Sequence, residues 1–575
     1  MVTNKYITRI ASVIMAAAVI LCLMASLFSD KLQEVYGNNA VTMKYESKLF
    51  NTDQIMDIDI LMDEDDWNNM LENAISEEYY SCNVVVNGKT FYSVGIRPKG
   101  NTSLSSIAND PDTDRYSFKL EFDHYIEGQT CYGLDKLILN NNYADATNMK
   151  EAIVYDMYQY LGVDASLYNY AKISVNGDYR GVYLALEAVE DSFMLRNYGT
   201  ENGNLYKPES MGVGGGVDGK DGDGWQMGEK PDGEDFPQKG EMPDGADFPQ
   251  KDEMPDGEDF PQMGEAPNGE AADIKMGIMG GNGGSDLNYT DDDLDSYSTI
   301  WDGEITDTDK KDHKRVVEAL KNISEGTDLE TYMDIDNILK YMAVHTFVVN
   351  DDSLSGTMAH NYYLYEYNGR LNILPWDYNL SFGGMSMDGK MGGQSSGATS
   401  VINDAIDTPF SITDFFNALL ENEEYLEQYH GYLNELVEKY VNGGEFEKTY
   451  ERIRSQIDDL VGNDPTAFYS YEEYEEAANM LIEVVQLRAK SVSGQLAGTI
   501  PSTDEGQQQD SSNLIDGSDI DLSVMGSFSG GGGGNEGQGK DNGFAGTPQP
   551  FDAGDVSPIS EEKADLQDSN QDSVK

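Results

Sequence analysis

Three Asn-Gly dipeptides constrain this chain more than any other feature in it. Asn87-Gly88 joins CNVVV to KTFYSVGIRP, Asn176-Gly177 joins YAKISV to DYRGVYLALE, and Asn368-Gly369 joins NYYLYEY to RLNILPWD. A two-residue type I′ turn needs left-handed backbone at both central positions, which Asn and Gly adopt at least cost. Antiparallel hairpins are therefore expected at three places. IMDIDILM reads as a further strand, separated from the first hairpin by a short helical stretch, DEDDWNNMLENAI. Between the first two hairpins, Met149, Ile153, Met157, Tyr160 and Leu161 recur at helical spacing, and Gly162 follows as a C-cap.

The texture changes at about residue 210. PDGEDFPQ at 231, PDGADFPQ at 243 and PDGEDFPQ at 255 repeat with a period of twelve, and a decayed PNGE follows at 267. Units with turn formers, acids and one aromatic bury too little to offset chain entropy, so residues 210–295 are expected to be an extended acidic insert. Helical periodicity resumes in HKRVVEALKNI, LETYMDIDNILKYMAVHTFVV, ITDFFNALLENEEYLEQYHGYLNELVEKYV, FEKTYERIRSQIDDLV and YEEYEEAANMLIEVVQLRAKSVSGQL. The expected order is a sheet-rich lobe over 45–209, the insert, a mainly helical lobe with the third hairpin over 296–500, and a disordered tail over 501–575. The fold class is α+β and bilobal.

Residues 10–27 are almost continuously apolar and follow Lys5 and Arg9. They read as a signal peptide or an N-terminal membrane anchor within 1–30, and the lack of an A-x-A site after them favours the anchor. The rest of the chain is then exported, as a secreted, cell-surface or membrane-anchored protein. Cys82 and Cys131 are either paired there or free and buried. With 104 Asp and Glu against 38 Lys and Arg, the net charge of -66 argues against a nucleic-acid partner and for basic protein partners or a metal.

Five histidines with no close pair, and no C-x-x-C, H-E-x-x-H, G-x-S-x-G or P-loop, leave little support for a zinc site or a Ser-His-Asp hydrolase. Two other segments are shaped for chemistry. GIRPKGNTSLSS (95–106) is a strand running into a Gly/Asn/Ser/Thr loop flanked by Arg97 and Lys99; RYSFKLEFD (115–123) follows, with Arg115, Ser117, Lys119 and Glu121 on one face. Such a loop, through Gly100, Asn101 and Ser103, and such cations suit phosphate. In residues 350–384 Asp352, His360 and Asn361 precede the third hairpin and Asp377 closes it. One carboxylate to take a hydroxyl proton and another with an amide to hold Mg²⁺ is a phosphoryl-transfer set. Asp291, Asp293 and Asp295 have the spacing of a Ca²⁺ loop, but Ser296 stands where the loop glycine belongs.

IRPKGNTS, GVYLALEAVEDSF and NDDS…HNYYLY…ILPWDYNLSFG, in that order, resemble the bacterial spore-coat protein H (CotH) family of atypical protein kinases over roughly residues 53–496. The resemblance implies a distant protein-kinase fold that transfers phosphate from ATP, with Mg²⁺ or Mn²⁺, to Ser or Thr of secreted, envelope or spore-coat proteins. It implies Lys119 on the ATP phosphates, with Arg97, Lys99 and Arg115 as competitors. Glu151, or Asp156, would position Lys119, and Glu187 would lie where adenine docks. Asp352 would be the catalytic carboxylate, Asp377 the main metal ligand and Asn361 a second one. No H-R-D, D-F-G or A-P-E is present, and Asn361 lies nine positions after Asp352 rather than five. The rival reading is a catalytically inactive kinase-like surface scaffold.

Overall fold

The computed structural model describes residues 40–209, 283–356, 359–385, 397–410 and 412–528. The N-terminal segment 1–30, the acidic repeats and residues 529–575 lie outside the described residues. Seven strands form a closed barrel: β1 (Met56–Leu61), β2 (Tyr80–Val86), β3 (Lys89–Lys99), β4 (Ser117–Glu121), β5 (Lys136–Asn140), β6 (Tyr168–Val175) and β7 (Asp178–Glu187), in the order β1-β2-β3-β4-β5-β7-β6. All neighbours are antiparallel except β1 and β6, whose parallel register from Met56↔Ala171 to Ile60↔Val175 closes the ring.

The alternation of the strands decides what fills it. Ile58, Ile60, Val84, Ile96, Phe118, Leu120, Leu137 and Leu139 share one buried cluster inside. On β4 the opposite face carries Ser117, Lys119 and Glu121, as two-residue alternation requires. The outer face of β6 and β7, with Tyr168, Tyr170, Val182, Leu184 and Leu186, packs in a second cluster shared with the helical half.

The helices that matter to the site are α1 (Thr102–Ala108), α2 (Lys150–Leu161), α3 (Asp191–Tyr198), α4 (Lys310–Ser324), α5 (Ile335–Val348), α6 (Glu423–Glu435), α7 (Glu445–Val461) and α8 (Tyr471–Leu496). α2 ends at Gly162 with φ 74°, the left-handed cap its sequence announces. Ile153, Val154, Met157 and Tyr158 of α2 lie in the same core as Ile338, Tyr341 and Met342 of α5 and Leu481 and Val485 of α8. The two halves therefore share one apolar core through α2.

A second sheet has the order β10-β9-β8, from β8 (Asn204–Tyr206), β9 (Tyr362–Tyr367) and β10 (Arg370–Pro375). All three Asn-Gly turns form with both residues left-handed: φ is 49° and 78° at 87–88, 52° and 88° at 176–177, and 55° and 85° at 368–369.

Two expected boundaries of order are corrected. Order resumes by residue 283 rather than 296, because Leu287 enters the main core and Tyr362 Oη donates to Ser285 O at 2.6 Å. Order also continues past 500: a helix spans Asp504–Gln509, and Met525 is buried in the main core. Cys82 and Cys131 are both free and buried, and burial pushes each thiol up to about 12. Among the described residues no helix is long and apolar enough to cross a membrane.

Candidate active site

Barrel and helical half meet at a cavity of about 370 Å³, within the size range of small-ligand sites. Lys99 from the end of β3, Ser117 from the start of β4 and Asn140 from the end of β5 line it on the barrel side. These ends are neighbours by register, with Lys99 opposite Ser117 and Phe118 opposite Leu139. Gly100, Asn101 and Ser103 line it next. Gly100 has φ 126°, and a Cβ there would come 2.8 Å from Ser103 Oγ, so only glycine fits. Glu151 from α2 and Asp352, His360, Asn361, Trp376 and Asp377 from the third hairpin and the loop before it complete the polar wall.

Asp352 is held from two sides. His360 Nε2 lies 2.8 Å from Oδ1, and Asn361 Nδ2 donates to Oδ2 at 2.9 Å and to the Asp352 carbonyl at 2.8 Å. Burial opposes a charged His360, but the hydrogen bond and the charge of Asp352 win and hold its pKa above the usual range. Asp377 is pushed up by burial; Lys99 opposes the shift, Asp352 adds to it, and Lys207 and His360 oppose it. Glu151 accepts from Asn140 Nδ2 at 2.9 Å, yet burial and the neighbouring Asp377 raise it to about 8. Glu151, Asp352 and Asp377 thus share one cavity with Lys99, which lies 5.7 Å from the Trp376 ring, and with Lys207.

The carboxylate and amide oxygens in the wall suit Mg²⁺, and Glu151 Oε1 is buried with no hydrogen-bond partner. Among the described residues no three His, Cys, Asp or Glu gather to cage an ion. Mg²⁺ characteristically takes one or two carboxylates and completes its shell with phosphate oxygens and water. Asp291 and Asp293 are spent on local turns, accepting from Asp293 N and Asp295 N.

Four non-glycine residues lining the cavity, Asn142, Ala144, Asn361 and Asp377, have φ between 57° and 60°. Each costs about 1 kcal/mol or more and persists only where its surroundings impose it. Behind Asp377 a buried chain holds the backbone: His345 Nδ1 lies 2.9 Å from Tyr378 Oη and its Nε2 3.0 Å from Ser355 Oγ, which donates to Asn350 O at 2.8 Å. Asn350 Nδ2 in turn donates to Asp377 O at 3.4 Å.

Burial lowers His345 to about 3. Its folded-state pKa lies below the unfolded one, so its contribution to stability is intact above about pH 6.5 and is lost as pH falls. Between about pH 7 and pH 5 the loss is about 2 kcal/mol. Denaturant unfolding at the two pH values is expected to show this for wild type, with a flatter profile for His345→Gln. Equal profiles would refute the assignment.

The other sequence candidates lie elsewhere. Lys119 is outside the cavity lining; its Nζ pairs with Glu190 Oε1 at 2.8 Å, and Lys136 binds the same carboxylate. Arg97 pairs with Glu77 and stands 5.4 Å from the Tyr79 ring. Arg115 binds Asp464 Oδ2 at 2.7 Å, Thr466 Oγ1 at 2.8 Å and Val182 O at 2.6 Å, fastening the barrel to the turn after α7. Glu187 is buried against Arg196, with Nη2 2.6 Å from Oε2, and against Tyr45, whose Oη is 2.5 Å from Oε1. Asp156 accepts from Tyr168 and Tyr440, each at 2.7 Å. Sequence reasoning missed Asn140, although the polar run NNN closing an apolar strand was a signal, and Phe528, for which there was none.

Fold and site together define a mixed α/β protein in which Lys99, a glycine loop, Glu151, Asp352 and Asp377 converge on one cleft. Residues 96–492 match the family model described as CotH kinase protein, and the chain belongs to the CotH family. Comparison with curated proteins gives no match.

Proposed function

We propose that this chain is an exported Mg²⁺-dependent protein kinase that moves the γ-phosphate of ATP to Ser or Thr of secreted, envelope or spore-coat proteins. The observation that carries the reading is the convergence of Lys99, Glu151, Asp352 and Asp377 on one cavity within the family-matched region. The barrel face bearing Lys99 then serves as the N-lobe and the helices α4 to α8 as the C-lobe of a kinase-like pair.

The phosphate-lysine role passes from Lys119 to Lys99. Glu151 takes the place of the helix glutamate that faces such a lysine in kinases, since Lys99 acts to lower its pKa. The amides and hydroxyls around Gly100, Asn101 and Ser103 fit the phosphate oxygens. Asp377 would hold the metal, with Glu151 Oε1 as a second oxygen within the same wall; Asn361 orients Asp352 through its Nδ2, and its Oδ1 is the atom that would ligate. Bound Mg²⁺ would neutralise the charge that builds on the phosphates. Asp352 accepts the proton of the substrate hydroxyl as its oxygen attacks the γ-phosphorus and the bond to the ADP oxygen breaks. His360 and Asn361 keep the Asp352 carboxylate aimed. The chain's net charge of -66 favours Lys/Arg-rich protein substrates.

The test is label transfer from γ-labelled ATP to a basic Ser/Thr-rich protein in Mg²⁺ or Mn²⁺, with mass-spectrometric mapping of the products. Transfer that stops on chelation is expected. Tight Mg·ATP binding with no transfer would instead mark an inactive scaffold.

A further inference from the structure

The family match ends at residue 492, yet the chain re-enters the cleft afterwards: Phe528 is one of the residues lining the cavity. We infer that residues 511–528 form a strap that completes the active site, clamping the loop after β5 to the loop after Asp377 and supplying Phe528 as a specificity-determining wall.

The strap is anchored along its length. Asn403, fully buried, accepts from Ile515 N at 2.9 Å and donates to Ile515 O at 2.8 Å. Gly517 N donates to Thr399 Oγ1 at 2.9 Å, and a Cβ at Gly517 would sit 2.8 Å from both Thr399 N and Ile402 Cδ1. Asp521 then caps a single turn, Leu522–Met525, and Met525 joins the main core. Two contacts follow within three residues. Ala146 N donates to Met525 O at 3.1 Å, while Phe528 N donates to Gly384 O at 3.0 Å and bridges Met385. One side of the cleft is thus tied to the other through Gly526.

Gly526 has φ 82°, and a Cβ there would meet Ala144 O at 2.6 Å and Ala146 N at 2.8 Å. No other residue fits so close to that loop. The loop it presses includes Asn142 and Ala144, both left-handed and both in the cavity wall. The same loop leads into α2, whose first residue, Lys150, is fully buried with Nζ 3.5 Å from Gly526 O. Glu151 is the next residue. The strap therefore fixes the start of the helix that carries Glu151, and Met385 with Phe528 adds to the apolar surface that Ile305, Trp376 and Leu380 give the cleft, as ligand sites generally combine apolar and polar walls.

Only the ligand readout of this inference rests on the kinase reading. In the full-length protein, Gly526→Val is expected to speed hydrogen exchange at the Ala146 and Phe528 amides by about 100-fold, because both bonds flank the displaced residue. Phe528→Ala, which keeps the backbone bonds, is expected to weaken Mg·ADP binding by about fivefold with an unchanged melting temperature. Wild-type protection of both amides in Gly526→Val would overturn the clamp, and an unchanged Mg·ADP affinity in Phe528→Ala would overturn the wall. If the wild type binds no Mg·ADP, the nucleotide reading and the role of Phe528 fail together, while amide exchange still decides the clamp.

Discussion

Asp377→Asn is expected to lower phosphoryl transfer by about 10³-fold or more while leaving the metal-free protein as stable as wild type, or more so. The substitution is chosen because Asp377 has φ 59°, a conformation that asparagine tolerates and alanine does not. Burial, together with repulsion from Asp352, already pushes the Asp377 carboxylate up, so its charge is a cost to the empty site. That cost is repaid only when a cation arrives. A thermal shift with Mg·ADP in wild type and none in Asp377→Asn is the companion result. Full transfer activity in the variant would remove Asp377 from the metal role.

The second large effect separates two lysines that lie two residues apart across a register. Lys99→Ala is expected to reduce kcat/KM for ATP by about 10²-fold with little change in stability, since Lys99 faces the cavity from a strand end. Lys119→Met is expected to do the reverse, keeping kcat/KM within about threefold and costing about 2 kcal/mol of stability. Its loss leaves the largely buried Glu190 carboxylate held by Lys136, and breaking a partly buried pair is destabilising. Urea unfolding and steady-state kinetics on the same preparations check both. Loss of transfer in Lys119→Met with stability intact would return the phosphate role to Lys119.

That pair also shows what was legible in the sequence. Alternation correctly put Ser117, Lys119 and Glu121 on one face of β4, but the cavity opens at the strand end where Lys99, Ser117 and Asn140 meet. Lys119 lies two residues, about 7 Å, further along. Where along a strand the helical half docks is set by non-local packing, which no local spacing encodes. The three hairpins were readable because Asn-Gly answers a purely local demand for left-handed backbone. α2 was readable because its apolar spacing and Gly162 agree. The pairing of β1 with β6, more than a hundred residues apart, had no such signature. Residues 501–528 misled for a related reason: their composition is polar, and their order comes from Asn403, Thr399 and the main core rather than from their own residues. Asp352 and Asp377 stood out as acids flanking a hairpin and both line the cavity, whereas Arg115 and Glu187 were equally conspicuous and turned out to be fasteners.

The pairing of β1 with β6 has a consequence beyond architecture. An open six- or seven-stranded sheet exposes two rows of unpaired amides and carbonyls, and these template strand addition between molecules. Closing the ring leaves the barrel with no such row. A chain proposed to be exported thereby carries its most β-rich half in the one form that cannot be extended edge to edge.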